Sequence, residues 1–205
     1  MELSTLLYFL ITSILLTLAP GPDIMYLLAK SLADGTKSGI SLAFGLTTGL
    51  IFHTTLVIIG VATIIQQSPL AFSILKYTGA IYLLYLAWGA FHSQGNLKLN
   101  AVNNTTSFFK LYRRGLIMNV LNPKVLLFFL AFLPQFINLN AENISLQIAF
   151  LGFIFGLQTL IIFSLVAICA GKVRDYILNI KNFNKIMGYI QGIVLLLISL
   201  ALIIS

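Results

Sequence analysis

The sequence predicts an all-α membrane protein with six transmembrane helices. They form two inverted three-helix repeats, with helices one and four broken or kinked at prolines. Three observations carry this. Of 205 residues, 59% are apolar and only 8% charged, with a mean hydropathy of +1.01, whereas a soluble globule has roughly a quarter charged residues. The apolar residues fall into six runs, each long enough to cross a hydrocarbon core, which takes ~20 residues of helix. Two of those runs are interrupted inside by prolines followed directly by a charge.

The runs extend roughly from Leu3 to Ala33, Gly39 to Ile65, Leu70 to Phe91, Phe108 to Phe136, Ile144 to Ala170 and Phe183 to Ile204. Their length and the absence of two-residue alternation favour helices over barrel strands, which are about half as long. The first run opens on the acidic leader "MELSTLL" and continues past Pro20, so it is expected to be retained rather than cleaved as a signal peptide. The longest connector, "HSQGNLKLNAVNNTTS" from His92 to Ser107, is Asn-rich and loop-like. The expected organisation is one transmembrane domain over 1–205, with repeat one at about 3–91, a loop at about 92–107 and repeat two at about 108–205.

Charge sets the expected topology. Connectors after helices one, three and five hold Lys30 and Lys37, then Lys98, Lys110, Arg113 and Arg114, then Lys172, Arg174, Lys181 and Lys185, ten of the twelve basic residues. Lys76 is on the other side and Lys124 inside a span. Basic residues favour the cytoplasmic face, which puts both termini outside the cytoplasmic membrane. Their scatter over short segments argues against nucleic-acid binding despite the net charge of +7. The single cysteine, Cys169, excludes an intramolecular disulfide and a Cys-rich metal cluster. Beside Ala167 and Ala170 it reads as small packing.

Laying Pro22 on Pro123 sets "PDIMYLLA" over "PKVLLFFL" and then "GISLAFG" near "NISLQIAFLG". "KYTGAIYLLYLAWGAF" from Lys76 falls on "KIMGYIQGIVLLLISL" from Lys185. Each half holds an odd number of helices, so the second enters the membrane in the opposite sense.

The interruptions "APGPD" and "NVLNPK" have about eighteen and fifteen residues before Pro22 and Pro123, and about eleven and thirteen after. At 1.5 Å per residue both fall inside the bilayer. Proline removes a backbone donor there and disfavours α conformation in the residue before it. The freed carbonyl and amide groups must be satisfied by protein, water or ligand, because lipid offers nothing. Asp23 follows Pro22 and Lys124 follows Pro123, and charges at that depth face a bundle interior or wet cavity. One reading is a buried salt bridge orienting the helices. The other is a site for an α-amino acid, whose ammonium and carboxylate meet Asp23, Lys124 and the half-helix N-termini.

The stretches "LAPGPDIMYLLAKSLADGTKSGISLAFGLTTG" and "GLIMNVLNPKVLLFFLAFLPQF" resemble the LysE/RhtB family of amino-acid exporters, over essentially the whole chain from Leu3. The family's Pro-Gly-Pro element corresponds to Pro20, Gly21, Pro22 and Asp23, and its Asn-Pro-Lys element to Asn122, Pro123 and Lys124. Gly45 and Gly49 match its glycine-bearing segment. The resemblance implies export of amino acids such as homoserine, threonine, leucine, lysine or arginine across the cytoplasmic membrane, and small neutral types are favoured here; no cofactor and no metal are expected, and a homo-oligomer is left open. Five or six spans are proposed for relatives, which leaves the final helix and the side of the C-terminus open.

Asn119, one turn before the second break, is a further candidate for substrate binding. His53 titrates near physiological pH and could couple export to a proton gradient, or stand as a neutral imidazole bonded to a neighbouring helix. Gln158 could line the cavity or bridge helices. The pairs Gly45/Gly49 and Gly152/Gly156 suit close helix contact, and Tyr82, Tyr85 and Trp88 suit packing or membrane-interface anchoring. The sequence lacks HExxH, G-x-S-x-G and a P-loop, which argues against an enzyme or an ATP-driven pump. Alternatives to amino-acid export are a cation or metal-ion exporter of a related branch and an accessory membrane protein.

Overall fold

The computed structural model describes residues 2–61, 68–92, 107–138, 143–172, 180 and 182–204, and the secondary structure in them is helical. In chain order the α-helices are α1 (Leu3–Leu18), α2 (Pro22–Asp34), α3 (Thr36–Leu56), α4 (Pro69–His92), α5 (Phe108–Val120), α6 (Pro123–Leu127), α7 (Ile144–Lys172) and α8 (Phe183–Ile204). α3 runs on into a π turn, Val57–Val61, and α6 into a π turn, Phe128–Phe132, and a 3-10 turn, Leu133–Phe136.

Among the described residues, four helical segments are long and apolar enough to cross a membrane: Thr36–Gly60, Leu70–His92, Ile144–Ala170 and Phe183–Ile204. Two further pairs have the length together but bend at a break, Leu3–Leu18 with Pro22–Asp34 by 57° and Phe108–Val120 with Pro123–Phe136 by 49°. Counting each bent pair as one span gives six. Both bends fall at the proline elements, where the missing amide stops the backbone ladder.

Inside α1 the hydroxyls of Thr12, Ser13 and Thr17 donate to the carbonyls of Tyr8, Leu10 and Ser13, which hides polar groups from lipid. α2 and α3 meet at Gly35, whose φ of +86° is open to glycine and strained for other residues. Lys30 there pairs with Asp34 at 2.7 Å, one turn away.

α3 is the central helix, packed on α5, α7 and α2, while α4 pairs with α8. The α3–α5 crossing is a glycine seam. A Cβ on Gly115 would stand 2.5 Å from the Leu42 carbonyl oxygen, and one on Gly45 would collide with the Tyr112 carbonyl. Small residues let membrane helices approach backbone to backbone, where van der Waals contact replaces the hydrophobic drive that lipid cannot supply. In the α4–α8 pair Ser199 Oγ donates to the Ala80 carbonyl at 2.9 Å. The second π turn packs on α4 and joins this pair to the rest.

One buried cluster centres on Phe9, Phe128, Phe129, Phe132, Phe136 and Phe155, and a second on Leu27, Leu42, Leu46 and Phe163. Large apolar side chains also cover the outside: Leu3, Ile51, Phe153 and Leu197 are 71%, 65%, 67% and 56% exposed. A surface this apolar marks contact with lipid, and the protein is a multi-pass membrane protein. Tyr82, Tyr85 and Trp88 are exposed and lie outside the core, Tyr82 against Tyr85 and Trp88 against His92. Cys169 is also exposed, because α7 buries Ala167 and Ala170 on its inner stripe and turns Cys169 outward. The connector 93–106, Lys98, Arg174 and Lys181, on which the predicted topology partly rests, lie outside the described residues.

Gly115→Val places a branched side chain against the α3 backbone. It should cost about 1–3 kcal/mol as overpacking and lower the unfolding temperature of the detergent-solubilised protein; an unchanged temperature would contradict the seam.

Candidate functional site

Each proline leaves a carbonyl four residues earlier without its normal amide partner. Pro20 cannot donate to Leu16 O, and Lys124 Nζ donates there instead, at 3.1 Å, and to Ala19 O at 3.0 Å. Pro123 cannot donate to Asn119 O. That oxygen takes His53 Nε2 at 2.9 Å and the backbone amide of Asn122 at 2.9 Å. A carbonyl can only accept, so Nε2 of His53 carries the proton. The two breaks are therefore neighbours, each closed by a side chain from another part of the chain.

The helix poles fit the charges. Lys124 lies at the carbonyl end of α1, and Asp23 sits in the first turn of α2, whose amide end favours an anion. α6 starts with Pro123 at its first position, and Asn122 Oδ1 caps it by accepting from Lys124 N at 3.0 Å. Gly21 leaves room for the lysine: a Cβ there would stand 3.1 Å from Nζ.

Asp23, Asn119 and Lys124 are 4%, 2% and 6% exposed. Asn119 Nδ2 donates to Asp23 Oδ2 at 3.4 Å, and the carboxylate, which only accepts, fixes the amide in that sense. Asn122 Nδ2 is buried without a partner. Asp23 Oδ1 and Asn119 Oδ1 are buried without a partner. Asp23 and Lys124 face one cavity but do not come within ion-pair distance, because the ammonium is held by the α1 carbonyls. The salt-bridge reading is not what the structure adopts.

That cavity measures about 20 Å³ and is lined by Asp23, Asn119 and Lys124 together with Thr17, Thr159 and apolar side chains. The volume suits a water molecule. Of the other predicted residues, Pro20, Gly21 and Asn122 are buried at the breaks, and Pro22 and Pro123 are exposed; none lines the cavity. His53 is fully buried between Phe52 and Phe129 and is also absent from the lining. Gln158 stands behind the wall and donates from Nε2 to Thr17 Oγ1 and Thr159 Oγ1, both at 2.9 Å. Thr17 and Thr159 were not singled out from the sequence, since isolated threonines in apolar runs carry no pattern. A groove of about 560 Å³ between α3 and α7 contains none of the predicted site residues. Among the described residues no three His, Cys, Asp or Glu side chains are grouped to hold a metal ion.

With this geometry in view, the comparison with known proteins is decisive: LysE type translocators match residues 14–205. The chain belongs to the LysE type translocator family. It is therefore a transporter-family protein and not an enzyme. It is 32% identical over 200 residues to the uncharacterized membrane protein YrhP of Bacillus subtilis (strain 168), covering 93% of this chain and 94% of that protein. It is 30% identical over 186 residues to the leucine efflux protein of Salmonella choleraesuis (strain SC-B67), covering 90% and 88%. The leucine efflux protein of Salmonella paratyphi A (strain ATCC 9150 / SARB42) matches to the same extent. No solved structure matches the chain.

In this LysE-family chain Lys124→Met leaves two α1 carbonyls without their donor. The loss should be about 1–3 kcal/mol, seen as a lower unfolding temperature in detergent, with Lys124→Arg retaining most of the stability. Equal stability of the Met variant would show that the carbonyls find other partners.

Proposed function

We propose that this chain is a secondary transporter that exports small neutral amino acids or close derivatives, of the homoserine, threonine or leucine type, across the cytoplasmic membrane. The observation that carries the proposal is the pair of unpartnered buried oxygens, Asp23 Oδ1 and Asn119 Oδ1, on one cavity wall. Buried acceptors without donors are costly and rare. A substrate α-ammonium brings three N–H donors and one positive charge to that wall. The substrate carboxylate goes to the Lys124 ammonium and the amide end of α2. Pro20, Gly21, Pro22, Asn122 and Pro123 serve the site by breaking and capping the helices that carry these groups. The leucine efflux relatives support the amino-acid class.

The cavity in this conformation is too small for an amino acid, so its walls must move apart to admit one. Transport then requires the two three-helix halves of a single 1–205 domain to rock about the breaks, opening to one side at a time. Contacts between α3 and α7, and between α4 and α8, pair elements at equivalent positions of the proposed inverted repeats. The proposed orientation has both termini outside.

Asp23→Asn preserves shape and removes the charge; it should abolish efflux of radiolabelled amino acid from overexpressing cells while the protein stays in the membrane. Efflux at the original rate would place the site elsewhere, and a response to cadmium without any amino-acid response would favour the cation branch.

Coupling to the proton gradient belongs to the same proposal, with His53 as the titratable group next to the site. His53→Gln keeps an N–H for the Asn119 carbonyl and removes the ring. Downhill efflux retained with its dependence on the pH gradient lost marks His53 as the coupling group; an unchanged dependence leaves it a cap.

A further inference from the structure

We infer that one face of α7, formed by Phe155, Thr159 and Phe163, reads the substrate side chain, and that Thr159 discriminates a hydroxyl-bearing side chain from an aliphatic one of the same shape. The inference rests on the proposed amino-acid site and specifies its selectivity. The three residues are spaced by four and share one side of the helix, and all three line the cavity that holds Asp23, Asn119 and Lys124. Among the described residues, Asp23 and Lys124 are the charged ones in that lining, and both are committed to the α-ammonium and α-carboxylate. A lysine or arginine side chain would find no further carboxylate there, so the site takes neutral side chains.

Hydrogen-bond accounting assigns the role of Thr159. Thr17 spends its proton on the Ser13 carbonyl at 2.8 Å. Its oxygen accepts from Gln158 Nε2 at 2.9 Å, and at 3.3 Å from Thr159 Oγ1 it can only be the acceptor. Thr159 therefore donates to Thr17, accepts from Gln158 Nε2 at 2.9 Å, and keeps one lone pair. Thr159 is 2% exposed, and the cavity it lines also holds the apolar side chains of Leu16, Leu50, Phe155 and Phe163. With Asp23 and Asn119 committed to the α-ammonium and both Thr17 lone pairs used, the free lone pair of Thr159 is the acceptor left in the lining for a side-chain O–H, and the apolar lining residues take an aliphatic side chain. Gln158 is the positioning residue, since its amide fixes both threonine oxygens.

The test is competitive efflux of radiolabelled threonine and valine, which have the same shape, from the same cells, with lysine as a third substrate. The wild type should prefer threonine to valine by roughly tenfold and leave lysine inside. Thr159→Val should bring the threonine-to-valine ratio close to one, and Thr159→Ser should restore it. An unchanged ratio in Thr159→Val, or lysine efflux equal to that of the neutral pair, overturns the inference while leaving amino-acid export intact. A wild type that moves none of the three refutes the proposed function itself. Should Thr159→Val fail to reach the membrane, thermal stabilisation of the purified wild type decides: threonine must raise its unfolding temperature more than valine does, and equal shifts overturn the inference.

Discussion

The structure depends on what becomes of carbonyl oxygens that prolines leave without an amide inside a membrane. Leu16 O and Asn119 O lose their helical donors to Pro20 and Pro123 in the buried interior of the fold, where neither lipid nor bulk water supplies a replacement. Lys124 and His53 replace them. Each donor comes from another helix, so the two breaks are tied into one centre, and a helix break becomes tolerable only where the rest of the fold delivers a side chain to it. A lysine at this depth carries its own desolvation cost, and the negative pole of α1 offsets part of it.

The same requirement explains the glycines. Asn119 reaches Asp23 only because α3 lets α5 come close: Gly45 and Gly115 bring the backbones together, and a Cβ on Gly49 would stand 2.6 Å from Asn119 Oδ1. The seam is at once packing and the means by which Asn119 is brought to Asp23. The aromatic cluster around Phe128 and Phe155 and the aliphatic cluster around Leu42 and Leu46 flank the cavity. They hold its polar groups apart from lipid in a low dielectric, where unpaired oxygens count for most.

Much of this was legible in the chain. The runs from Leu70 to Phe91 and Phe183 to Ile204 reappear within a residue or so as α4 and α8, because length and apolarity are sufficient signals for a straight span. The Pro22 and Pro123 elements reappear as helix starts after a bend. The π turns at Val57–Val61 and Phe128–Phe132 left no trace in sequence, since they answer to neighbouring helices. Gln158 was open between lining and bridging, and its two threonine partners lie on α1 and on its own helix, a separation no local pattern encodes.

By itself the sequence determined the solvent, the helix runs, the positions of the two breaks and the charges beside them. These follow from composition, length and the covalent chemistry of proline, all of which are local. Only the tertiary structure decided that Lys124 binds α1 carbonyls rather than Asp23, that His53 closes the second break, and that Thr159 joins the cavity wall. Those outcomes are set by how closely α3 approaches α5 and how α7 lies against α1, and distances between residues a hundred positions apart depend on packing, not on any pattern along the chain.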